Sequence, residues 1–277
     1  MVQRMKIDIS LLALLKIVGV ALAMWFLYAI RGVLAILFVA IILASAVDPI
    51  VNWLVKKKIP RLLSIIVIYI ILLSFVIAFW LYPIMPEIMP FHWNASGVVN
   101  GHMPKLFALF LMPVIGLFCF ILFIKIPDFD PKKKNIESFR KYYDYFILIF
   151  TLFLFYLYVL TILFTLNAPF NMTFMLIPAF AVLFFYVGIL CENAKQNWFI
   201  GIRTPWTLSS KVVWNKTHKV AARGFKIVAI LCLIGMLFID YAIWFILLPV
   251  ILVAIYSFWY SYREYKNQQD PKKERVT

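Results

Sequence analysis

The chain has 277 residues, of which 65% are hydrophobic and only 14% are charged. Soluble domains have roughly 45–50% apolar and about 25% charged residues, so this composition excludes an ordinary soluble protein and indicates an integral membrane protein. The formal net charge of +15 is explained by membrane orientation, because the basic residues lie mainly in polar segments between apolar runs. We therefore expect no direct contact with nucleic acid.

Eight apolar runs reach or approach the ~20 residues that a bilayer-crossing helix needs. They cover residues 9–30, 33–47, 62–81, 106–124, 146–166, 174–190, 225–239 and 241–260. The second run is short, so it either extends through residues 48–55 or enters the membrane only in part. The predicted fold class is all-α, a polytopic transmembrane helical bundle of about eight spans.

The basic residues predict the orientation of these spans. If the N-terminus is cytoplasmic, 24 of the 27 lysines and arginines lie in inner segments, Arg31 and Lys105 lie outside, and Lys16 lies within the first helix. Cytoplasmic segments of membrane proteins carry the excess of Lys and Arg. We therefore expect a multi-pass plasma-membrane protein whose two termini are cytoplasmic.

The first predicted domain, residues 1–61, contains the run FLYAIRGVLAILFVAIILASAVDPIVNWLVKKKIPR. Its distinctive positions are Arg31, Asp48-Pro49, Trp53 and Ile59-Pro60-Arg61. With these residues, the segment 11–77 resembles the start of the autoinducer exporter-like (PerM-type) family. The segment is either a fused membrane anchor or a working transport element.

The next domain, residues 62–125, is predicted to be a helical hairpin with an outer loop at residues 82–105. Three prolines interrupt a continuous helix there, and Asn100-Gly101 favours a tight turn. The candidate outer site consists of Pro90, His92, Trp93, Asn94, Gly97 and Lys105. With these residues, the loop resembles the small domain that usually precedes the signature sequence of the SdpI family of bacterial membrane proteins. His92 and His102 with Glu87 form either a metal site or, as we expect from the lack of ligand spacing, hydrogen-bonding structural groups.

Groups that carry out catalysis are not expected in this chain. The three cysteines lie in apolar runs without Cys-x-x-Cys spacing, so we expect neither disulfides nor a metal. Ionisable residues stand at the ends of the spans and not near their middles, whereas ion-coupled transporters usually place such groups at mid-membrane. The sequence therefore predicts a protein that is not an enzyme and has no cofactor.

The third domain, residues 126–277, contains the longest polar interruption of the chain, residues 193–224. It reads NAKQNWFIGIRTPWTLSSKVVWNKTHKVAARG and contains no Asp or Glu. We expect Arg203 to be held by cation–π contacts between Trp198 and Trp206, so that its guanidinium can bind a carboxylate or phosphate. Ser209 or Ser210 should cap a short amphipathic helix that ends at His218. In that helix Val212, Val213, Trp214 and Val220 would face lipid. The alternative is an interfacial hairpin without a ligand.

This segment resembles the signature of the SdpI family of bacterial membrane proteins. The matching residues form the candidate inner site: Asn197, Gly201, Arg203, Thr204, Pro205, Trp206, Trp214, Thr217 and His218, with Thr207 beside them. One departure is Ala221-Ala222, where a glycine pair often follows the histidine. The resemblance implies immunity to a secreted toxic (antimicrobial) peptide met by the outer loop. It also implies capture of a helix-turn-helix repressor by the inner loop. Membrane lipid is the other expected partner. The alternative function, favoured by the N-terminal resemblance, is a transporter or exporter of a small signal.

Overall fold

The computed structural model describes residues 10–269. Its contacts divide the chain into two compact units, with the boundary between Trp53 and Leu54. Helices predominate, as expected for a chain that must satisfy its backbone hydrogen bonds internally inside a bilayer. The all-α prediction is confirmed, with the addition of one small β-hairpin. Arg4, Lys6, Lys272, Lys273 and Arg275, which entered the orientation argument, lie outside the described residues.

Ten α-helices and two strands make up the described chain. The helices are α1 (Leu11–Ala29), α2 (Arg31–Lys56), α3 (Arg61–Leu81), α4 (Lys105–Phe129), α5 (Lys133–Ser138), α6 (Arg140–Thr165), α7 (Met172–Asn193), α8 (Pro205–Ser209), α9 (Lys211–Gly235) and α10 (Ala242–Gln269). The strands β1 (Ile88–Trp93) and β2 (Val99–Pro104) pair antiparallel. A short 3₁₀ helix, Ile239–Tyr241, precedes α10.

Seven segments within residues 10–269, rather than the eight expected, are long and apolar enough to span a membrane. The eighth predicted run, 225–239, forms the end of α9 up to Gly235 rather than a separate helix. Because α9 starts beside Gln268 at the end of α10 and reaches the first residues of α10 at Gly235, the two helices run antiparallel along the unit. The first half of α9 carries the lysines and arginines of the signature, which lower its mean hydropathy. The short second run does extend through residues 48–55, because α2 continues to Lys56 and includes Pro49.

The first unit consists of α1 and most of α2. Ser10 caps α1 by accepting a hydrogen bond from the amide of Ala13, and Ile30 alone separates the two helices. Arg31 lies over the ring of Tyr28, 3.7 Å from its centroid. No residue of α1 is buried, which suits a helix whose sides face lipid.

Two apolar clusters form the core of the second unit. One lies between the hairpin and the helices α3, α4 and α6 and consists of Ala78, Leu81, Met85, Met89, Ala108, Leu109, Tyr158 and Ile162. The other joins α7, α9 and α10 and consists of Ile177, Ala181, Val228, Ala229, Cys232, Ala242 and Ile246.

The polar segments of the second unit gather at two opposite ends. Lys57 and Lys58 form ion pairs with Asp128 and Glu137 at the end of α4 and in α5. The segment between α4 and α5 contacts the signature loop, which is the stretch of residues 194–210 between α7 and α9. The signature loop in turn contacts the last turns of α10. These contacts are Lys132–Gln196, Thr204–Ser261 and Ser210–Gln268. We call this the signature end; the β-hairpin lies at the other, the hairpin end.

Candidate functional site

The signature loop begins with a turn that is built around Asn197. The side chain of Asn197 is fully buried. Its Oδ1 accepts hydrogen bonds from the amides of Phe199 and Ile200, while its Nδ2 donates to the carbonyls of Lys195 and Ile200. Because one amide group satisfies four backbone partners at once, Asn197 holds the turn from within. No other residue type of this size both donates and accepts in this way.

The turn is joined to α9 through His218. The amide of Ile202 donates to His218 Nε2 at 3.0 Å, and His218 Nδ1 lies 2.9 Å from the carbonyl of Trp214. A carbonyl only accepts, so Nδ1 carries the proton and the imidazole is neutral. Burial lowers the pKa of His218 from its ordinary value to about 4. The histidine is therefore a structural bridge, held neutral by its surroundings.

Gly201 and Trp214 enclose the imidazole on its remaining sides. Gly201 has a φ of +110°, and a Cβ at this position would overlap His218 Nε2. The ring of Trp214 stacks on the imidazole at 3.9 Å, and its Nε1 donates to the carbonyl of Ala194. The predicted orientation of Val213 and Trp214 toward lipid is wrong, since both are completely buried in protein. Val212 is exposed, as expected.

Two threonines and a proline start the second half of the loop. Thr204 caps α8 by accepting from the amide of Thr207, while Thr207 Oγ1 accepts from the amide of Thr204, which is a reciprocal capping arrangement. Pro205 occupies the first helical turn, where its missing N–H costs nothing. Thr204 Oγ1 also donates to Ser261 Oγ on α10 at 3.0 Å. The Thr-Pro pair therefore fixes the loop to the last helix.

The structure corrects the expected environment of Arg203. Its guanidinium donates to the carbonyl of Trp198 at 2.9 Å, and within residues 10–269 it makes no cation–π contact. Trp206 packs instead against Phe258 and Tyr262 of α10, with ring centroids 5.1 Å apart in both pairs. Arg203 is exposed, so its guanidinium is accessible to solvent while one of its N–H groups bonds the loop.

The helix that follows is longer than predicted. Ser210 does cap it, by accepting from the amide of Val213, but α9 continues past His218 to Gly235. Thr217 is fully buried, and its hydroxyl finds no hydrogen-bond partner among the described residues. The prediction of a short interfacial helix was wrong. The polar signature residues Thr217 and His218 are buried in protein, and α9 continues into the helical bundle.

Sequence reasoning missed two residues that hold the loop: Asp130, from the segment before α5, and Gln196, within the loop itself. Asp130 is buried and accepts from the amide of Trp198, and Gln196 Nε2 donates to the carbonyls of Thr207 and Leu208. Lys132 in turn donates to Gln196 Oε1. The mixed-charge segment IPDFDPKKK, residues 126–134, therefore contacts the signature loop. Its Asp and Pro residues, which favour turns, are the feature of the sequence that could have indicated this role.

The candidate outer residues form or flank the β-hairpin. Pro90, His92 and Trp93 lie on β1, and His92 Nδ1 donates to Asn100 Oδ1 at 2.6 Å. Lys105 pairs with Glu87 at 2.8 Å. These contacts give His92 and Glu87 protein partners, as expected of structural groups.

The turn of the hairpin is not where it was expected. Asn100 and Gly101 lie within β2. The reversal occurs at residues 94–98, where Asn94 Oδ1 accepts from the amides of Ser96 and Val98 and Gly97 has a φ of +79°. Asn94 is therefore the residue that organises the turn, since an Asn side chain readily mimics a backbone turn.

Comparison with known proteins agrees with this architecture. The model of the SdpI/YfhL protein family matches residues 193–262, which contain the signature loop, α9 and much of α10. A domain of unknown function, DUF1648, matches residues 69–117, which contain the hairpin. The resemblance of the N-terminal segment to the PerM-type family stays a prediction.

A curated relative matches most of the chain. The protein named Immunity protein SdpI from Bacillus subtilis (strain 168) is 27% identical over 208 residues, which cover 73% of this chain and 96% of the relative. No solved structure matches. With its membrane-helix architecture, the chain is thus similar to the SdpI/YfhL protein family over its signature region, residues 193–262.

Proposed function

We propose that this protein is a plasma-membrane immunity protein that protects the cell carrying it against a secreted peptide. The observation that carries the proposal is its similarity to Immunity protein SdpI over 96% of that protein's length. Protection by binding requires a surface on the outer side, and the hairpin end is the folded outer element of this chain. The proposed role is one of binding rather than catalysis.

The proposed orientation puts the hairpin end outside and the signature end in the cytoplasm. The support is the concentration of Lys and Arg at the signature end, which the positive-inside rule places in the cytoplasm. Glu87 and Lys105 at the hairpin end pair with each other, whereas Arg203 at the signature end is an exposed cation. A secreted peptide would then meet the hairpin first.

A sensitivity assay tests this proposal. Bacteria with and without the protein are exposed to a panel of purified secreted antimicrobial peptides, and the inhibitory concentration of each is measured. We expect at least one peptide to require a clearly higher concentration in the presence of the protein. Unchanged sensitivity to the whole panel, combined with uptake or release of a small signal by proteoliposomes, would favour the exporter function instead.

We further propose that the signature end captures a cytoplasmic partner, a helix-turn-helix repressor as the family resemblance implies. The loop is held by hydrogen bonds of Asn197, His218 and Thr204. It still exposes about half of Trp198 and 42% of Phe199 beside the exposed Arg203. Such an apolar and cationic surface suits a partner helix with apolar and acidic residues.

Membrane recruitment of a fluorescently tagged repressor tests this part, with Arg203→Lys and Trp198→Ala as variants. We expect both variants to reduce recruitment, since lysine lacks the planar fork of arginine. Lys16→Gln, in α1, is the matched control and should recruit normally. Trp206→Ala is a poor test, because Trp206 packs against α10 and its loss would disturb the fold. Equal recruitment by all variants would show that the loop is structural.

A further inference from the structure

The second half of α10 exposes one continuous face. Its exposed residues recur at intervals of three and four, which places them on one side of a helix, and they run from apolar to aromatic to basic: Ile251, Ile255, Trp259, Tyr262, Arg263 and Lys266. Ser257 and Ser261, on the other side of the helix, are buried. Because α10 is long and apolar enough to span a membrane, its exposed face meets lipid.

The basic end of this face lies at the depth of the lipid headgroups. From Ala242, where α10 begins, to Arg263 the helix rises about 32 Å at 1.5 Å per residue. The hydrocarbon core of a bilayer is about 30 Å thick. The exposed Asp240, just before α10, marks the opposite boundary. Arg263 and Lys266 therefore stand where phosphate groups are found.

Both cations of this face are held over aromatic rings. The guanidinium of Arg263 lies 5.3 Å from the ring centroid of Trp259, and Nζ of Lys266 lies 5.0 Å from the ring centroid of Tyr262. Within residues 10–269 neither cation forms an ion pair. The aromatic rings limit the positions that these long side chains adopt, which lowers the entropy lost when they bind an anion.

The carboxylate between the two cations in the sequence does not neutralise them. Glu264 lies on another face of α10 and pairs with Lys216 of α9 at 2.7 Å. The helix thus turns its carboxylate toward protein and its two cations toward lipid. The result is a concentrated positive charge at the membrane surface.

The signature loop supports this arrangement through Trp206. The centroid of its ring lies 5.1 Å from those of Phe258 and Tyr262. Tyr262 is therefore held by Trp206 on one side while Lys266 lies over its ring. Trp and Tyr are enriched at membrane interfaces, and here the signature tryptophan fixes the ring that positions a cation.

We propose that Arg263 and Lys266 bind the phosphate of an anionic phospholipid, whose acyl chains lie along the exposed apolar part of α10. Arginine binds phosphate through two parallel N–H groups, and lysine adds a point charge. A zwitterionic headgroup brings its own cation beside the phosphate, which the two protein cations repel. The site therefore selects lipids of net negative charge. The proposal is independent of the immunity function.

An acidic protein and a second copy of this chain are the competing occupants. The exposed face continues from the cations to Ile255 and Ile251, at a depth in the membrane that a soluble protein does not reach. A second copy that met this face symmetrically would bring the same two cations opposite each other, which is unfavourable. A phospholipid matches both parts of the face, because its charge lies at the headgroup and its chains lie below.

Native mass spectrometry of the full-length protein tests the site. The protein in mild detergent is incubated with equal amounts of phosphatidylglycerol and phosphatidylcholine that have the same acyl chains, and the retained lipids are counted. We expect the wild type to retain phosphatidylglycerol preferentially. The double variant Arg263→Gln, Lys266→Gln should lower this preference roughly tenfold or more. The matched control Lys134→Gln, Lys141→Gln removes two exposed cations from α5 and α6 and should keep the preference.

A phosphatidylglycerol with a photoreactive group in its acyl chain locates the lipid. We expect it to label α10 near Ile255 in the wild type and in the control, and to lose this label in the Arg263→Gln, Lys266→Gln variant. Labelling that is confined to other helices would overturn the proposal.

The other outcomes also decide. Equal retention of the two lipids by the wild type would overturn the lipid site and leave an acidic protein as the occupant. An equal loss of preference in both double variants would overturn it too, since net charge alone would then explain the selectivity. The same spectra report the oligomeric state. A dimer that is lost only in the Arg263→Gln, Lys266→Gln variant would assign the face to a second copy.

Discussion

At the scale of single residues, the signature is explained by the way its side chains satisfy the backbone of the loop. Asn197 bonds four backbone groups, and His218 links the loop to α9. Thr204 and Thr207 cap each other's amides. Most of the signature residues are buried structural groups. Gly201, Arg203 and Pro205 are exposed, and of these three Arg203 carries a charge.

Gly201→Ala should destabilise the loop severely. The left-handed backbone alone costs about 1–3 kcal/mol with a side chain, and the new methyl group would overlap the imidazole of His218. We expect a large loss of thermal stability in detergent, measured by size-exclusion chromatography after heating. Gly116→Ala is the control, because a Cβ at this helical position meets nothing within 4 Å. Equal stability of the two variants would contradict the geometry of the loop.

The buried neutral His218 should make stability depend on pH. Its pKa is lowered to about 4 in the folded protein, against about 6.5 when unfolded. Between these values the unfolded state binds the proton more strongly, so stability falls as the pH is lowered, by roughly 3 kcal/mol in total. We expect thermal unfolding profiles from pH 7.5 to 4.5 to be flatter for His218→Gln than for the wild type. His102→Gln, which changes an exposed histidine at the hairpin end, should keep the wild-type slope.

At the scale of elements, close helix packing depends on single glycines. A Cβ on Gly188 would lie 2.8 Å from the carbonyl of Ala222, so α7 and α9 approach backbone to backbone. Ala221 and Ala222 are both buried in this region, which means that alanine is small enough where the family often has glycine. Small residues at helix interfaces permit such approaches in membranes.

Gly224→Ala should destabilise the packing of α9 on α10, and a second substitution should restore it. The added Cβ would lie 2.8 and 2.9 Å from the two γ-methyl groups of Val253. Because only these methyl groups cause the clash, Val253→Ala removes it. In a double-mutant cycle of thermal stabilities, we expect the pair to be more stable than Gly224→Ala alone. Additive losses in the two single variants would show that the helices do not meet at this point.

At the scale of the whole molecule, we expect both termini to face the cytoplasm. Within the second unit, α10 ends beside the signature loop, as the Ser210–Gln268 contact shows, so the end of α10 and the signature loop lie on one side of the membrane. A C-terminal fluorescent protein should therefore be bright and a C-terminal alkaline phosphatase inactive. An active phosphatase fusion would reverse the proposed orientation.

Deletion of residues 2–53 should leave a folded and protective second unit, whereas deletion of residues 2–61 should be less stable. The difference is the segment after the boundary, where Leu54 and Ile59 are buried and Lys57 and Lys58 pair with Asp128 and Glu137. Membrane abundance and protection of the two deletions measure this directly. Equal behaviour would support the boundary at residue 61 that composition suggests.

The sequence alone determined the membrane class, the approximate spans and the signature. These features depend on composition and on local order along the chain: a bilayer demands about 20 apolar residues in a row, and the basic segments between them predict the orientation. The cap of α9 was also readable, since Ser209 or Ser210 was expected to cap it and Ser210 does so by bonding an amide three residues away.

Only the tertiary structure decided which way the signature residues point. Trp214 is of a residue type that often lies at the membrane interface, yet it is buried. Its indole donates to the carbonyl of Ala194, 20 residues earlier in the chain, and its ring stacks on His218, one helical turn later. Trp206 packs against α10 and not against Arg203, because its partner Phe258 is also distant in the chain. Asp130 contacts the loop from a separate segment, 68 residues before Trp198 along the chain. Contacts between residues distant in the chain depend on helix packing, which local patterns do not encode.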